Sequence, residues 1–374
     1  MTGLAGRTLL VTGGGGFLGR AVLADLLETF PGRIISIHRS PLADQGLHLP
    51  DPHVEVRADL RDAERWCGLL HEADYVVWLA ALRDHGASRA QAERANVEPL
   101  RAALAVLRKR RGFTRLVFAS SISALDQPNR PGRPRPLTDA SPACPRTPYG
   151  NSKLVSERLL AASGVPHCVL RLPFLYGPAF RPGSFLDFYR TVARTPALSA
   201  LRFTGNLSLL YTGDVARLLL AVIDAPGGAA GCAPGGAADG AADASPYLVS
   251  DGVTYEVDDL VSLVAREHGL SRPRLRVPLV AGRMASATAL VAHRLTRPRP
   301  VPRGRVRLLA GYWCHAAFTR DYFVVDASRF HAAFPQCTFT PVRTAIRRCF
   351  AVPVSGQPYQ PRVPEPRLDG WGHV

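Results

Sequence analysis

Short apolar runs closed by glycine, proline or charge alternate through the first half of the chain with longer stretches at helical spacing. Strands are predicted at Arg7–Val11, Arg33–His38, Val54–Ala58, Tyr75–Leu79, Arg115–Ala119 and His167–Leu172. Helices are predicted from Phe17 to Phe30, where Pro31-Gly32 stops the pattern, at Asp62–His71, and at Ser88–Arg111. Another starts at Pro148, with Thr147 as N-cap and proline as its first residue. Such alternation implies right-handed βαβ units and an α/β fold, a doubly wound, mainly parallel sheet with its ligands beyond the carboxyl ends of the strands.

The second half is less regular. Asp214–Asp224 and Val257–His268 read as helices and Tyr247–Val249 as a strand. Residues 225–245 are nearly all Ala, Gly, Asp and Pro and read as a flexible loop or insertion, and 352–374 as a Pro/Arg-rich surface tail. The expected organisation is a nucleotide-binding domain at 1–178, followed by a smaller, irregular, interleaved substrate-binding region at 179–351.

Directly after the first strand, Thr12–Gly19 places glycines at 13, 16 and 19 at the opening of a helix. Glycine at 13 permits a tight turn, at 16 lets the backbone approach a pyrophosphate, and at 19 lets the helix pack closely on the sheet. Phe17 and Leu18 form the first helical turn, whose free N–H groups and dipole suit phosphate. No Gly-Lys-Ser/Thr follows, which disfavours a P-loop. A nicotinamide dinucleotide is the expected cofactor. At the end of the second strand stand His38-Arg39-Ser40, with no carboxylate before Asp44. A guanidinium and a hydroxyl there suit a 2′-phosphate, which favours NADP over NAD; the alternative is that Arg39 is an ordinary exposed loop arginine.

Tyr149 and Lys153 lie four residues apart near the start of a predicted helix, so phenol and ammonium share one face. A free phenol is a weak base near neutrality, and a neighbouring cation favours its phenolate. The chain has 44 arginines but only two lysines, Lys109 and Lys153, so a lysine at this spacing is informative. The fifth strand runs into Ser120, Ser121 and Ser123 at its carboxyl end, where a hydroxyl could hold a reacting oxygen; Ser120 reads more readily as serving its own turn.

Together these segments resemble the extended short-chain dehydrogenase/reductase superfamily, with its Rossmann domain, in the epimerase/dehydratase and 3β-hydroxysteroid dehydrogenase branch. The likeness spans roughly residues 7–270. It implies catalytic roles for Ser121, Tyr149 and Lys153, with Asn96 in support. It places Asp59 and Leu60 against adenine, and Leu79, Ala80 and Ala81 beside the cofactor. Arg171–Pro178, including Pro173, matches the family segment leading from cofactor to substrate, and Tyr211–Ala216 resembles its later "HVDDVA" segment, with Tyr211 and Gly213 in place of the first His and first Asp. Phe174 stands where sugar-nucleotide members usually carry asparagine, and Asn206–Leu210 lacks their arginine. The expected activity is therefore interconversion of a secondary alcohol and ketone on a fairly hydrophobic, hydroxysteroid-like small molecule. A nucleotide-sugar epimerase or dehydratase is the runner-up, and a non-catalytic NADP-binding sensor the third reading.

Charge changes little in this picture. Of the net +16, ten arginines lie between Arg272 and Arg307, a stretch without an acidic residue. It lacks the aromatic residues and module of a nucleic-acid binder. A solvated face is the plainest reading, with a weak membrane-surface contact or an acidic substrate left open, as is a homodimer. Seven cysteines (67, 144, 168, 232, 314, 337 and 349) form no metal-ligand spacing. No stretch carries the roughly 20 apolar residues that span a bilayer. The expectation is a soluble, cytoplasmic protein with reduced thiols and no metal.

Overall fold

The computed structural model describes residues 3–43, 46–83, 87–125, 136–178, 185–195, 199–225, 232–233, 245–273, 277–278 and 322–350. Its main sheet is built from β1 (Thr8–Thr12), β2 (Arg33–His38), β3 (Val54–Arg57), β4 (Tyr75–Trp78), β5 (Arg115–Ser121) and β6 (His167–Leu172). They lie in the order β3-β2-β1-β4-β5-β6, all parallel. The order reverses between β1 and β4, so the crevice of a doubly wound sheet opens where both strands end, at Thr12 and Trp78.

Alternation along each strand explains the two cores. Leu9, Val11, Ile34, Val77 and Val117 enter one apolar cluster, while Leu10, Ile35, Val76, Leu116 and Phe118 enter another. Helix α1 (Phe17–Thr29) covers the first face. Helices α2 (Arg89–Asn96), α3 (Glu98–Leu107) and α4 (Pro148–Ala161) lie on the other side, where α3 supplies Leu100, Ala103, Leu104 and Leu107 and α4 supplies Leu160. Burial on both faces is why these strands read as nearly continuous apolar runs.

Two expected helices differ. Asp62–His71 is a pair of short 3₁₀ turns, Ala63–Arg65 and Cys67–His71. The segment wraps around buried Trp66, whose indole N–H donates to the Leu60 carbonyl at 3.0 Å and whose ring meets Trp78 edge-on at 5.9 Å. The long Ser88–Arg111 helix is two helices separated at Val97. Pro99 has no N–H and its ring opposes the carbonyl four residues back, so the chain re-initiates there.

Beyond β6, β7 (Phe174–Tyr176) and α5 (Phe185–Arg194) lead to β8 (Leu201–Arg202), β9 (Asn206–Tyr211) and α6 (Thr212–Asp224). The chain then returns to the main sheet. Strands β10 (Cys232–Ala233) and β11 (Tyr247–Leu248) both pair with β6, and α6 packs into the same core as α1. Strand β12 (Thr254–Glu256) and helix α7 (Val257–Glu267) follow, and β13 (Val277–Pro278) pairs with β8. A second sheet joins β7, β12 and β14 (Tyr322–Phe323) to β9, backed by α5, α7 and α9 (Val342–Phe350). A short helix, α8 (Ser328–Ala333), packs Phe330 beside Tyr247. Asp214 on α6 accepts from the Thr340 amide at 2.8 Å and its hydroxyl at 2.6 Å, tying the approach to α9 onto the sheet.

Within the glycine/alanine-rich 225–245 stretch only β10 and the end residues are described; the rest, and the 352–374 tail, lie outside the described residues. Of the ten arginines expected to form a solvated face, Arg272 is the one described, and it is buried. Its guanidinium donates to the Ser199, Leu201 and Asp258 carbonyls, the Asp258 carboxylate and the Ser262 hydroxyl, and its side chain is 3% exposed. For that residue the expectation was wrong, because five acceptors converge on it. Among the described residues no helix is long and apolar enough to cross a membrane, and no group of His, Cys, Asp or Glu could hold a metal ion.

Candidate active site

The turn after β1 is shaped by what its glycines lack. Gly13 adopts φ +78° and its N–H donates to the Ile37 carbonyl at 2.8 Å. A Cβ there would fall 2.8 Å from Ala80 Cα, so the Leu79–Ala81 segment presses directly on the turn. Leu79 N–H bonds the Thr12 carbonyl at 3.2 Å and Ala80 N–H the Thr12 hydroxyl at 3.4 Å, while Ala81 is exposed. Gly19, in the first turn of α1, faces the Gly13 carbonyl so closely that a side chain would collide with it. Gly14, given no role by sequence reasoning, sits against Ser36 and Leu23 with the same result. Gly16 precedes α1 and offers no side-chain cap, so the N–H groups of the first turn, at Phe17 and Leu18, face the crevice end without one. This side-chain-free cradle over a helix N-terminus fits a dinucleotide pyrophosphate.

At the end of β2, His38 turns inward. Its Nδ1 pairs with the Ser36 hydroxyl at 3.1 Å and its Nε2 with Glu55 at 3.0 Å. Glu55 also accepts from the Leu42 amide, and these hydrogen bonds hold its carboxyl below the usual range. Glu55 went unnoticed in the sequence because β3 delivers it from seventeen residues away. Arg39 and Ser40 are exposed. Asp59 is gripped by Arg61 through its amide and guanidinium, which with the Arg39 charge depresses its carboxyl to about 2. Leu60, beside it, is partly buried.

Three consecutive residues of β5 meet three successive turns of α4. Ser121 pairs with Tyr149, the Ala119 carbonyl accepts from Lys153 Nζ at 2.7 Å, and the Ser120 hydroxyl donates to Glu157. The Thr147 hydroxyl caps α4 by accepting from the Gly150 amide at 3.0 Å, and Gly150 lies so close to the Ser123 carbonyl that no side chain fits. That contact seats the helix on the strand end. Burial pushes the Tyr149 phenol up, opposed by the Arg83 charge and the Ser121 hydrogen bond. Burial brings Lys153 down to about 7, opposed by Glu157. Its ammonium lies 4.6 Å from the Phe118 ring centre and 5.8 Å from that of Tyr149. Ser123 turns its amide to the Ser121 hydroxyl at 3.1 Å and its own hydroxyl to the same atom at 3.2 Å, so it holds Ser121 in place.

Asn96 lies at the end of α2, fully engaged. Its Oδ1 accepts from the Leu82 amide at 2.6 Å, and its Nδ2 donates to the Leu82 carbonyl and to Ser152 Oγ at 2.9 Å. Ser152 in turn donates to the Tyr149 carbonyl at 2.7 Å. Asn96 thus joins the loop after β4 to the helix carrying Tyr149, without a contact to the phenol itself.

Pro173 is buried between β6 and β7, and Phe174 beyond it packs edge-on against Phe323 at 5.4 Å. The carboxyl ends of β1, β5 and β6 therefore bring the glycine turn, the Ser121/Tyr149/Lys153 group and an apolar exit segment to one edge of the sheet.

This arrangement is that of an extended short-chain dehydrogenase/reductase. The model of the NAD-dependent epimerase/dehydratase family matches residues 9–231, and the chain belongs to that family. A 4-hydroxy-2-methyl-3-oxo-4-farnesyl-3,4-dihydroquinoline-1-oxide ketoreductase of Stigmatella aurantiaca is 28% identical over 298 residues, 74% of this chain and 78% of that one. A UDP-glucose 4-epimerase of Streptomyces lividans is 26% identical over 163 residues, 42% of this chain and 48% of that protein. Among solved structures, UDP-glucuronic acid 4-epimerase from Bacillus cereus, in complex with UDP-glucuronic acid and NAD, superposes with TM-score 0.64 at 16% identity, covering 92% of this chain and 98% of that one. The Thermus thermophilus UDP-glucose 4-epimerase in complex with NAD gives 0.61 at 19%, covering 92% and 97%. At these identities the structures share the fold.

Proposed function

We propose that this protein is a nicotinamide-dependent ketoreductase or secondary-alcohol dehydrogenase acting on a fairly hydrophobic small molecule. The observation that carries this reading is the convergence of Ser121, Tyr149 and Lys153 at the junction of β5 and α4, facing the glycine turn's side of the sheet. The bound dinucleotide would supply or accept the hydride. Gly13, Gly16, Phe17, Leu18 and Gly19 would hold its pyrophosphate, Asp59 and Leu60 would border the adenine, and Leu79, Ala80, Ala81 and Pro173 would line its path.

Ser121 would hold the substrate oxygen. Tyr149 would give that oxygen a proton in reduction, or take one in oxidation. Lys153 makes one hydrogen bond to protein among the described residues, which leaves ammonium donors for a ribose, and its charge favours the phenolate. Asn96 would position Tyr149 through Ser152. Exposed Arg39, next to a His38 whose ring is already paired, supports NADP over NAD.

Phe174 against Phe323 puts apolar surface where sugar-nucleotide enzymes anchor a polar ligand, and the ketoreductase relative extends over most of both chains. The second reading, a nucleotide-sugar epimerase or dehydratase, draws on the Streptomyces relative. A screen of steroids, β-keto acyl compounds and UDP-sugars, followed by nicotinamide absorbance, separates them. Oxidation of the reduced cofactor by hydrophobic ketones is expected; UDP-sugar turnover without net cofactor consumption would overturn the leading reading in favour of the second.

A further inference from the structure

Tyr149, Lys153 and Glu157 recur every four residues along α4, so their side chains form one row on its sheet-facing side. Glu157 is the buried end of that row. Its Oε1 accepts from Arg171 Nε at 3.1 Å and from the Ser120 hydroxyl, and its Oε2 from Arg171 Nη2 at 2.8 Å. Both members of the ion pair are below a tenth exposed. A carboxylate this deep is costly, and a bidentate guanidinium with a serine hydroxyl offsets that cost and holds it at one place. That place is one helical turn from Lys153.

We infer that Glu157 is a positioning residue of this site: it keeps Lys153 in its ammonium form and thereby sets the pH range over which Tyr149 exchanges its proton. The inference rests on the catalytic reading of Tyr149 and Lys153 given above. Among the described residues, the charged and titratable groups of this row and its partners are Tyr149 and Glu157 on the helix of Lys153, Arg171 from β6 paired with Glu157, and Arg83 from the loop after β4, whose charge acts on Tyr149. Strand β5 contributes Ala119, Ser120 and Ser121, and α2 contributes Asn96, all uncharged. Among the described residues Glu157 is thus the one anion in this set besides a Tyr149 phenolate. Burial alone drives Lys153 towards the neutral amine, and Glu157 opposes it. Ser120, the serine that sequence reasoning gave to its own turn, is the hydroxyl that completes the Glu157 cage.

The chain's two lysines make this measurable without cofactor or substrate. Protein labelled with ¹³C at lysine Cε gives two NMR signals, exposed Lys109 serving as the internal reference for Lys153. In Glu157→Gln the Lys153 titration is expected to move to lower pH while Lys109 stays fixed. The pH profile of kcat should shift with it to lower pH, with kcat at pH 7 reduced roughly tenfold. Should unpaired Arg171 prevent folding, Glu157→Gln/Arg171→Gln removes both charges and is expected to show a smaller shift in the same direction, since loss of the Arg171 cation offsets part of the effect. An unmoved Lys153 titration in either folded variant overturns the inference. The parent reading fails differently: full turnover by Lys153→Met would remove it, whatever Glu157 does.

Discussion

The Lys153 ammonium donates a 2.7 Å hydrogen bond to the Ala119 carbonyl, two residues before Ser121. This bond ties the second turn of α4 to the end of β5. The strand that ends in the serine and the helix that carries the tyrosine are thereby held in register by the lysine between them. The ammonium sits in an apolar setting, above the Phe118 ring, which is why it titrates so low. Stability is given up for a poised charge.

That conflict predicts a pH-dependent effect on stability. The Lys153 value falls from 10.5 to about 7 on folding, so between these limits the unfolded chain holds more protons on this group. Native stability therefore rises with pH across that window, and the full penalty applies below it. Lys153→Met, which keeps the apolar stem, is expected to stabilise the cofactor-free protein at pH 6, on the order of 1–3 kcal/mol. The gain should shrink towards pH 10. Denaturant titrations at both pH values check this.

Asn96 uses both ends of its amide on the Leu82 backbone and Ser152. Asn96→Ala leaves the Leu82 backbone groups and Ser152 short of partners, at a cost of about 1–3 kcal/mol. Because the loop after β4 and the Tyr149 helix lose their link, kcat is expected to fall more than dinucleotide affinity. Kinetics and fluorescence-detected cofactor binding on one preparation separate the two effects.

Glycine replacements should discriminate sharply. Gly19→Ala drives a methyl into the Gly13 carbonyl and is expected to weaken dinucleotide binding by about tenfold or more. Gly68→Ala, where a Cβ meets nothing within 4 Å, is expected to change neither binding nor Tm.

Arg39→Ala is expected to raise KM for NADPH several-fold and to leave KM for NADH nearly unchanged, since its guanidinium is exposed beside the end of β2. A native enzyme that strongly prefers NADH would remove the NADP assignment.

Much of this architecture was legible because its signals are local. Five of the six main strands are buried on both faces and leave clear apolar runs, and the glycine turn and the Tyr149/Lys153 spacing lie within short stretches of chain. Thr147-Pro148 marked the start of α4 for the same reason, its hydroxyl bonding an amide three residues on. What escaped depends on contacts between distant segments. Glu157 reads as one charged residue on an amphipathic helix until β6 brings Arg171 against it. Glu55 reaches His38 only across a strand pairing, and Arg272 reads as one of ten arginines until five acceptors surround it. The Asp62–His71 pattern suggested a helix because a buried tryptophan and leucines at helical spacing look alike in either kind of turn; Trp66's bond to the Leu60 carbonyl decided otherwise.

The most direct test is Tyr149→Phe, which deletes one hydroxyl and keeps the ring packed beside Lys153. Turnover of whichever ketone the screen identifies should be measured alongside dinucleotide affinity. Turnover is expected to fall by about 10²–10⁴-fold with cofactor affinity essentially unchanged. Turnover retained at the native level, with the cofactor bound, would contradict the assignment of Tyr149 as the group that exchanges the proton.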